Sequence, residues 1–243
     1  MKRLAFRYHV NPFLLACFFF LLLLACSVGI GFLVNNSSWI QAFDRYFYEL
    51  ILNMPHPTWL DQLVSPFNFN FFPWVPIFES FLAVAVLLCL VIIYIWRRCD
   101  FRWAAIACML ALVFDQAMAY FLPIVIYRPR PFTALPNHLS AASMAIWSAW
   151  PSFPSGHVRD TAVFMTVLAA VMPKRLRWPM AFFAVFIAWT RIYVGAHYPT
   201  DVIAGLIIGY LIGKITMGFI EEIRELWEAL EEKLPDPPKL SAE

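Results

Sequence analysis

The sequence is poor in charge. Charged residues make up 14% of its 243 residues, whereas hydrophobic residues make up 62%. This balance, with a mean hydropathy of +0.68, excludes an ordinary soluble domain. A net charge of +2 gives no sign of a nucleic-acid partner. The composition therefore predicts a membrane protein whose surroundings are a lipid bilayer.

Cysteines in paired arrangements are also lacking. The five cysteines form no CxxC pair, and Cys17, Cys26, Cys89 and Cys108 lie inside apolar runs. This pattern excludes a disulfide framework and a cysteine-based metal site. No His, Cys, Asp and Glu cluster has metal-ligand spacing either, so we expect neither a metal ion nor another cofactor.

Apolar runs approaching 20 residues predict six membrane-spanning helices. The predicted spans are residues 12–34, 73–96, 103–127, 155–173, 178–194 and 200–220. The first resembles a secretory signal with a weak lipoprotein cleavage box, but it continues past Cys26, which favours an uncleaved span. We predict an all-α polytopic membrane protein, with a six-helix bundle over residues 1–221 and a cytosolic helical extension and disordered tail over residues 222–243.

Some features of these runs allow two interpretations. Asp115 lies inside the third span, where an ionisable group is a functional candidate, although a hydrogen bond to a neighbouring helix explains it equally well. Gly205, Gly209 and Gly213 form a small-residue stripe on the last span, which favours close helix packing. Residues 40–52 are typical of either an interfacial helix or a packed loop helix.

The positive charges predict the orientation. With the amino terminus inside, six spans place the basic turns and the tail inside as well, and 13 of the 18 Lys and Arg residues are cytosolic. Both termini are therefore predicted to be cytosolic. The exceptions are Arg45, Arg128, Arg130, Arg159 and Arg191. Four of them lie beside polar segments of the outer side, where we expect the chemistry.

Three segments of that outer side form a candidate oxyanion site. They are Arg128–Pro131, Pro154–His157 and Arg191–Asp201. Ser155 and Gly156 begin a helix, whose free N–H groups and dipole favour a phosphate. Arg130 and Arg191 are suited to bidentate binding of phosphate oxygens.

Two histidines accompany these cations, enough for one nucleophile and one acid. Helical spacing places Asp201 one turn beyond His197, where a carboxylate is suited to fixing the tautomer and raising the basicity of the imidazole. Asp160 lies three residues past His157 and either hydrogen-bonds to it, pairs with Arg159 or caps the helix.

These segments resemble the three signature motifs of the type 2 phosphatidic acid phosphatase family, membrane lipid phosphatases related to vanadium haloperoxidases. The family patterns are Lys-x6-Arg-Pro, Pro-Ser-Gly-His and Ser-Arg-x5-His-x3-Asp. Arg130 and Pro131 fit the end of the first motif, and residues 154–157 fit the whole of the second. The third motif is matched by Arg191, His197 and Asp201.

Two positions depart from the family pattern. Thr190 replaces the serine of the third motif and keeps its hydroxyl group. Pro123 stands where the first motif has lysine, so a phosphate-binding cation is lost. Arg128 and Arg159 are the candidates to replace it, and an altered enzyme or a pseudoenzyme is the other interpretation.

The resemblance implies a metal-independent lipid phosphatase of the bacterial inner membrane, active on the extracytoplasmic side. His197 would carry a phosphohistidine, Asp201 would orient it, and His157 would protonate the leaving oxygen and then activate water. The implied phosphate-binding groups are Arg130, Arg191, Ser155 and the Gly156 amide. Undecaprenyl pyrophosphate is the first candidate substrate, and phosphatidic acid and phosphatidylglycerol phosphate are the others.

Two further functions fit the same residues. A phosphotransferase would pass the phosphoryl group to another lipid instead of water. A non-catalytic protein would bind or transport anions through Arg130 and Arg191, and it would tolerate the loss of His197. The motifs do not distinguish these functions, and they do not indicate an oligomeric state.

Overall fold

The structure, a computed structural model, describes residues 11–64, 99–135, 144, 148 and 150–231. Within these ranges every regular element is helical. The α-helices are α1 (Pro12–Asn36), α2 (Ser38–Leu52), α3 (Thr58–Val64), α4 (Cys99–Val125), α5 (Gly156–Val171), α6 (Arg177–Tyr193) and α7 (Pro199–Glu231), with short 3₁₀ helices at Pro131–Thr133 and Lys174–Leu176. The all-α prediction is confirmed for this part of the chain, and the predicted span at residues 73–96 lies outside it.

Three of the described helices are long and apolar enough to cross a membrane. They cover Pro12–Asn36, Arg102–Val125 and Pro199–Leu230. Helices α5 and α6 contain 16 and 17 residues. At 1.5 Å per residue they are roughly 25 Å long, somewhat less than a hydrocarbon core of about 30 Å. The six-span layout and the orientation of the termini remain predictions.

Helix α2 has two different faces. It begins immediately after α1, with Ser37 ending one helix and preceding the other. Its inner face buries Asp44, Tyr48 and Leu52 at intervals of four residues, so these side chains share one side of the helix. Large apolar side chains such as Trp39, which is 74% exposed, lie on the rest of its surface. The helix is thus packed on one side and exposed and apolar on the other.

The glycine stripe brings α7 against α5. An added Cβ would come within 2.8 Å of an atom of α5 at Gly209 and Gly213, and within 2.9 Å of the carbonyl oxygen of Ser155, the residue before α5, at Gly205. Because only glycine permits this approach, the prediction that the stripe serves packing is confirmed. The contact aligns the amino-terminal ends of the two helices, and the backbone N–H of Ser155 donates to the carbonyl oxygen of Asp201 at 3.1 Å.

A buried ion pair joins α4 to α5. The guanidinium of Arg159 donates to both carboxylate oxygens of Asp115, through Nη2 at 2.9 Å and through Nε, and both side chains are almost fully buried. On the next residues of the same two helices, Gln116 donates to Asp160 at 3.5 Å. Of the two interpretations of Asp115, the structure therefore supports the contact with a neighbouring helix.

Candidate active site

The three motif segments meet at one end of the helices and are joined through their backbones. The segment after α4 accepts a hydrogen bond at the Arg128 carbonyl from the Ser152 N–H, at 2.8 Å. Ser155, which precedes α5, donates in turn to the backbone of α7. The convergence predicted from the motifs is therefore present in the structure.

The turn between α6 and α7 presents His197. Arg191 lies in the last turn of α6, and its carbonyl oxygen accepts from the N–H groups of Ala196 and His197 at 3.0 and 3.2 Å. Gly195 has φ = 84°, in the left-handed region that favours glycine. Pro199 then begins α7 with the φ angle that a first helical turn requires. The turn thereby holds His197 between two helix ends.

The hydrogen bonds of His197 determine its tautomer. Nδ1 lies 2.8 Å from the carbonyl oxygen of Ser152, and Nε2 lies 2.9 Å from Nη1 of Arg130. A carbonyl oxygen only accepts and a guanidinium only donates, so Nδ1 carries the proton and Nε2 carries the lone pair. The nitrogen that carries the lone pair therefore faces a cation.

Burial keeps this imidazole neutral. His197 is 1% exposed, and its burial, together with the charge of Arg130, lowers its pKa from 6.5 to about 3, against the opposing effect of Asp201. At neutral pH Nε2 therefore keeps its lone pair, which accepts the hydrogen bond from Arg130 in this structure. The protonated form is unfavourable in the free site because there is too little solvent to stabilise it.

Asp201 lies beside His197 without a direct hydrogen bond to it. One carboxylate oxygen is 3.7 Å from Nδ1, a distance beyond hydrogen bonding. The carboxylate accepts instead from Arg128, from the Ser152 hydroxyl and from the Tyr198 N–H, the last at 2.9 Å. The tautomer is held by the Ser152 carbonyl, while Asp201 contributes charge and holds the surrounding groups.

Four of the predicted phosphate-binding groups line the same region. Arg130 donates to the carbonyl oxygens of Trp150 and Ala196 at 3.1 and 3.2 Å, which fixes its guanidinium near His197. Arg191 is 1% exposed, and its charge contributes to the lowered pKa of His197. Ser155 precedes α5, of which Gly156 is the first residue.

The Ser155 hydroxyl is buried and has no hydrogen-bond partner among the described residues. A buried polar atom without a partner is unusual, and at this position the hydroxyl is free to hydrogen-bond to a bound group. His157 follows in the first turn of α5 and is also buried. This helix terminus combines a hydroxyl, an imidazole and the N–H groups of a first helical turn, which have no partner within the helix itself.

The two arginines that could replace the missing lysine have different surroundings. Arg128 reaches the site, where it donates to both Asp201 and Asp44. Arg159 is bound by Asp115 at the α4–α5 interface, and Asp160 accepts from Gln116. Pro123 itself lies inside the last turns of α4.

Residues that the motifs do not specify complete the site. Asp44, Ser152, Tyr198 and Thr200 contact Arg128 or Asp201 directly. Sequence reasoning missed Asp44 and Ser152, which belong to none of the three motifs. The available signal for Asp44 was its place among apolar residues spaced four apart on α2.

Metal ligands are not grouped in this region. Among the residues that the structure describes, no group of three or more His, Cys, Asp or Glu side chains is arranged to hold a metal ion. The positive charges around His197 come from arginine side chains.

The fold is helical with apolar spans, and histidine and arginine side chains form a site at the helix ends. This combination is typical of a class of membrane phosphatases. Comparison with known proteins identifies the family. Residues 104–225, about half of the chain, match the family described as the PAP2 superfamily. The chain belongs to this superfamily, so the family resemblance drawn from the three motifs is confirmed.

Individual relatives support the same assignment. Undecaprenyl-diphosphatase BcrC of Bacillus subtilis is 26% identical over 166 residues, which cover 65% of this chain and 83% of that protein. Lipid A 1-phosphatase of Rhizobium johnstonii is 35% identical over 122 residues, 47% of each chain. The crystal structure of a PAP2-type phosphatidylglycerolphosphate phosphatase from Bacillus subtilis has a TM-score of 0.56 at 22% identity, covers 87% of this chain and 96% of its own, and supports the fold.

Proposed function

We propose that this protein is a lipid phosphatase that hydrolyses a phosphomonoester or pyrophosphate through a phosphohistidine at Nε2 of His197. The observation that carries the proposal is the 2.9 Å distance between this nitrogen and Nη1 of Arg130, with the Nδ1 proton held by the Ser152 carbonyl. A phosphoryl group that enters here meets a nucleophile and a cation together, so that position and charge both favour attack.

The reaction has two halves. In the first, Nε2 of His197 bonds to phosphorus while the bond to the leaving oxygen breaks, and His157 donates a proton to that oxygen. In the second, His157 takes a proton from water, the water oxygen bonds to phosphorus, and the bond between phosphorus and Nε2 breaks, so that inorganic phosphate leaves and the lone pair of the neutral imidazole is restored. The groups assigned to the equatorial oxygens are Arg130, Arg191, Ser155 and the Gly156 amide.

The substrate class follows from the site and the relatives together. The relatives are named for undecaprenyl diphosphate, lipid A and phosphatidylglycerol phosphate, which differ in their lipid parts and share a phosphate group. Undecaprenyl pyrophosphate is our first candidate, at the extracytoplasmic face of the bacterial inner membrane. The distribution of lysine and arginine along the sequence supports this orientation.

Phosphate release by the purified protein in detergent, with a chelator present, tests the proposal. The panel contains undecaprenyl pyrophosphate, phosphatidic acid and phosphatidylglycerol phosphate. His197→Ala should abolish release. His56→Ala is the matched control, because this histidine stacks on Tyr193 with ring centroids 4.2 Å apart and belongs to none of the motifs.

The outcomes separate the three functions. Chelator-resistant release that His197→Ala abolishes and His56→Ala retains supports the phosphatase, and the preferred lipid identifies its substrate. Loss of the phosphoryl group from the substrate lipid only when an acceptor lipid is added, with the phosphate recovered on the acceptor and not as inorganic phosphate, indicates a phosphotransferase. Lipid binding without turnover by the folded protein, retained in His197→Ala, contradicts both enzymes and indicates a binding protein.

A further inference from the structure

Asp44 is a buried carboxylate that no sequence motif includes. It lies on α2, outside the matched residues 104–225, and is 1% exposed. Burying an ionised carboxylate is unfavourable unless it is paired and hydrogen-bonded. Its contacts therefore show what this carboxylate does in the fold.

One set of contacts ties Asp44 to the beginning of α7. Its Oδ1 accepts from the backbone N–H of Thr200 at 2.8 Å, and its Oδ2 accepts from the Thr200 hydroxyl at 2.6 Å. The first N–H groups of a helix have no partner inside the helix, and a carboxylate there is also favoured by the helix dipole. Asp44 thus caps, from a different helix, the turn that contains Asp201.

The other contact is with Arg128. Its Nη2 donates to Asp44, while its Nη1 donates to Asp201 and to the Thr200 hydroxyl, the latter at 3.0 Å. The guanidinium carbon lies 4.3 Å from the centre of the Tyr198 ring. Arg128 is consequently held on both sides, with one carboxylate on α2 and the other on α7.

We propose that Asp44 is a positioning residue for the phosphatase reaction. By fixing Arg128 and capping α7, it holds the Asp201 carboxylate 3.7 Å from Nδ1 of His197. The inference rests on the proposed function. Without the Asp44 charge, Arg128 keeps Asp201 as its one carboxylate partner among these contacts, and the pair is able to shift together away from the imidazole. Asp44 thus acts through Arg128 and Asp201.

Asp44→Asn tests this assignment, with Glu49→Gln as the matched control. Both changes remove one carboxylate charge from α2, but the Glu49 side chain is 52% exposed and lies 4.0 Å from Arg45 at the surface. In Asp44→Asn we expect kcat per folded molecule to fall roughly tenfold to a hundredfold, the range typical of coupling within one hydrogen-bond network. KM should change less than about twofold, because the proposed phosphate-binding groups remain. Glu49→Gln should match the wild type.

A double-mutant cycle distinguishes positioning from general stability. If Asp44 acts through Asp201, Asp44→Asn should have little further effect on kcat in an Asp201→Asn background. An equal loss in both backgrounds, or a loss explained entirely by unfolded protein, overturns the inference. If Asp44→Asn does not fold, Asp44→Glu replaces it, because it keeps the charge on a longer side chain. An unchanged kcat for the folded fraction of Asp44→Glu then also overturns the inference.

The same assay separates this inference from the proposed function. Wild-type protein that releases phosphate, together with an equally active Asp44→Asn variant, refutes the positioning role alone. Folded wild-type and Glu49→Gln proteins that release no phosphate from any lipid of the panel refute the proposed function, and the positioning role with it.

Discussion

Asp201→Asn separates two contributions of a carboxylate beside a catalytic histidine. A carboxylate that bonds to Nδ1 both selects the tautomer and balances the charge that develops on the ring. Here the Ser152 carbonyl lies 2.8 Å from Nδ1, whereas the nearer Asp201 oxygen is 3.7 Å away. The substitution should therefore leave the tautomer intact and remove the charge.

The distance bounds the expected effect. Two unit charges at this 3.7 Å separation interact by about 4 kcal/mol at an effective dielectric constant of about 20. This is an upper bound, because Arg128 also binds the carboxylate and offsets its charge. About 1.4 kcal/mol corresponds to a tenfold change in rate, so kcat should fall by roughly 100-fold and by no more than about 1,000-fold. KM should change little, because Asp201 is assigned no contact with the phosphate.

Steady-state phosphate release gives the rate, and nitrogen NMR of labelled histidine gives the tautomer. Ser152→Ala provides the control, since it removes the hydroxyl that donates to Asp201 and keeps the carbonyl that holds Nδ1. We expect protonated Nδ1 in the wild type and in both variants. A loss well above 1,000-fold in folded Asp201→Asn, with the proton moved to Nε2, would refute the assignment of the tautomer to the Ser152 carbonyl.

Three further substitutions test the packing and the phosphate site. Ser155→Ala should leave the thermal unfolding midpoint nearly unchanged and lower kcat/KM roughly tenfold, since the hydroxyl has no partner among the described residues; a large loss of stability would contradict this. Asp115→Asn should destabilise the protein by about 3 kcal/mol in denaturant titrations because Arg159 loses its buried partner, with kcat per folded molecule retained. Gly209→Ala should cost about 1–3 kcal/mol, because the new Cβ would meet the backbone of α5, and an unchanged unfolding midpoint would argue against that contact.

The sequence predicts those parts of the site that lie in short segments. Ser155 and Gly156 are adjacent, and His197 lies only four residues before Asp201, across the start of α7, so their proximity follows from short separation in the sequence. The glycine stripe was predictable for the same reason, because residues four apart lie on one face of a helix.

Contacts between distant residues were not predictable in this way. Asp44 and Thr200 are 156 residues apart, and neither the spacing nor the composition of α2 indicates that they meet. The sequence also did not predict which arginine reaches the site, because that depends on the direction of the side chain. Arg159 binds Asp115 on α4, whereas Arg128 binds Asp201. Asp201 was predicted to fix the tautomer of His197, but the backbone carbonyl of Ser152 does so. A pattern of side chains in the sequence does not reveal a contact with a backbone group.

The most direct test of the account is to identify the phosphorylated residue during turnover. Wild-type protein is mixed with the preferred lipid, quenched within one turnover under alkaline conditions, and digested for mass spectrometry. We predict a phosphoryl group on His197 that is lost in acid and disappears as turnover is completed. Phosphate release without any label on His197, or a label on another residue with His197→Ala still active, would contradict it.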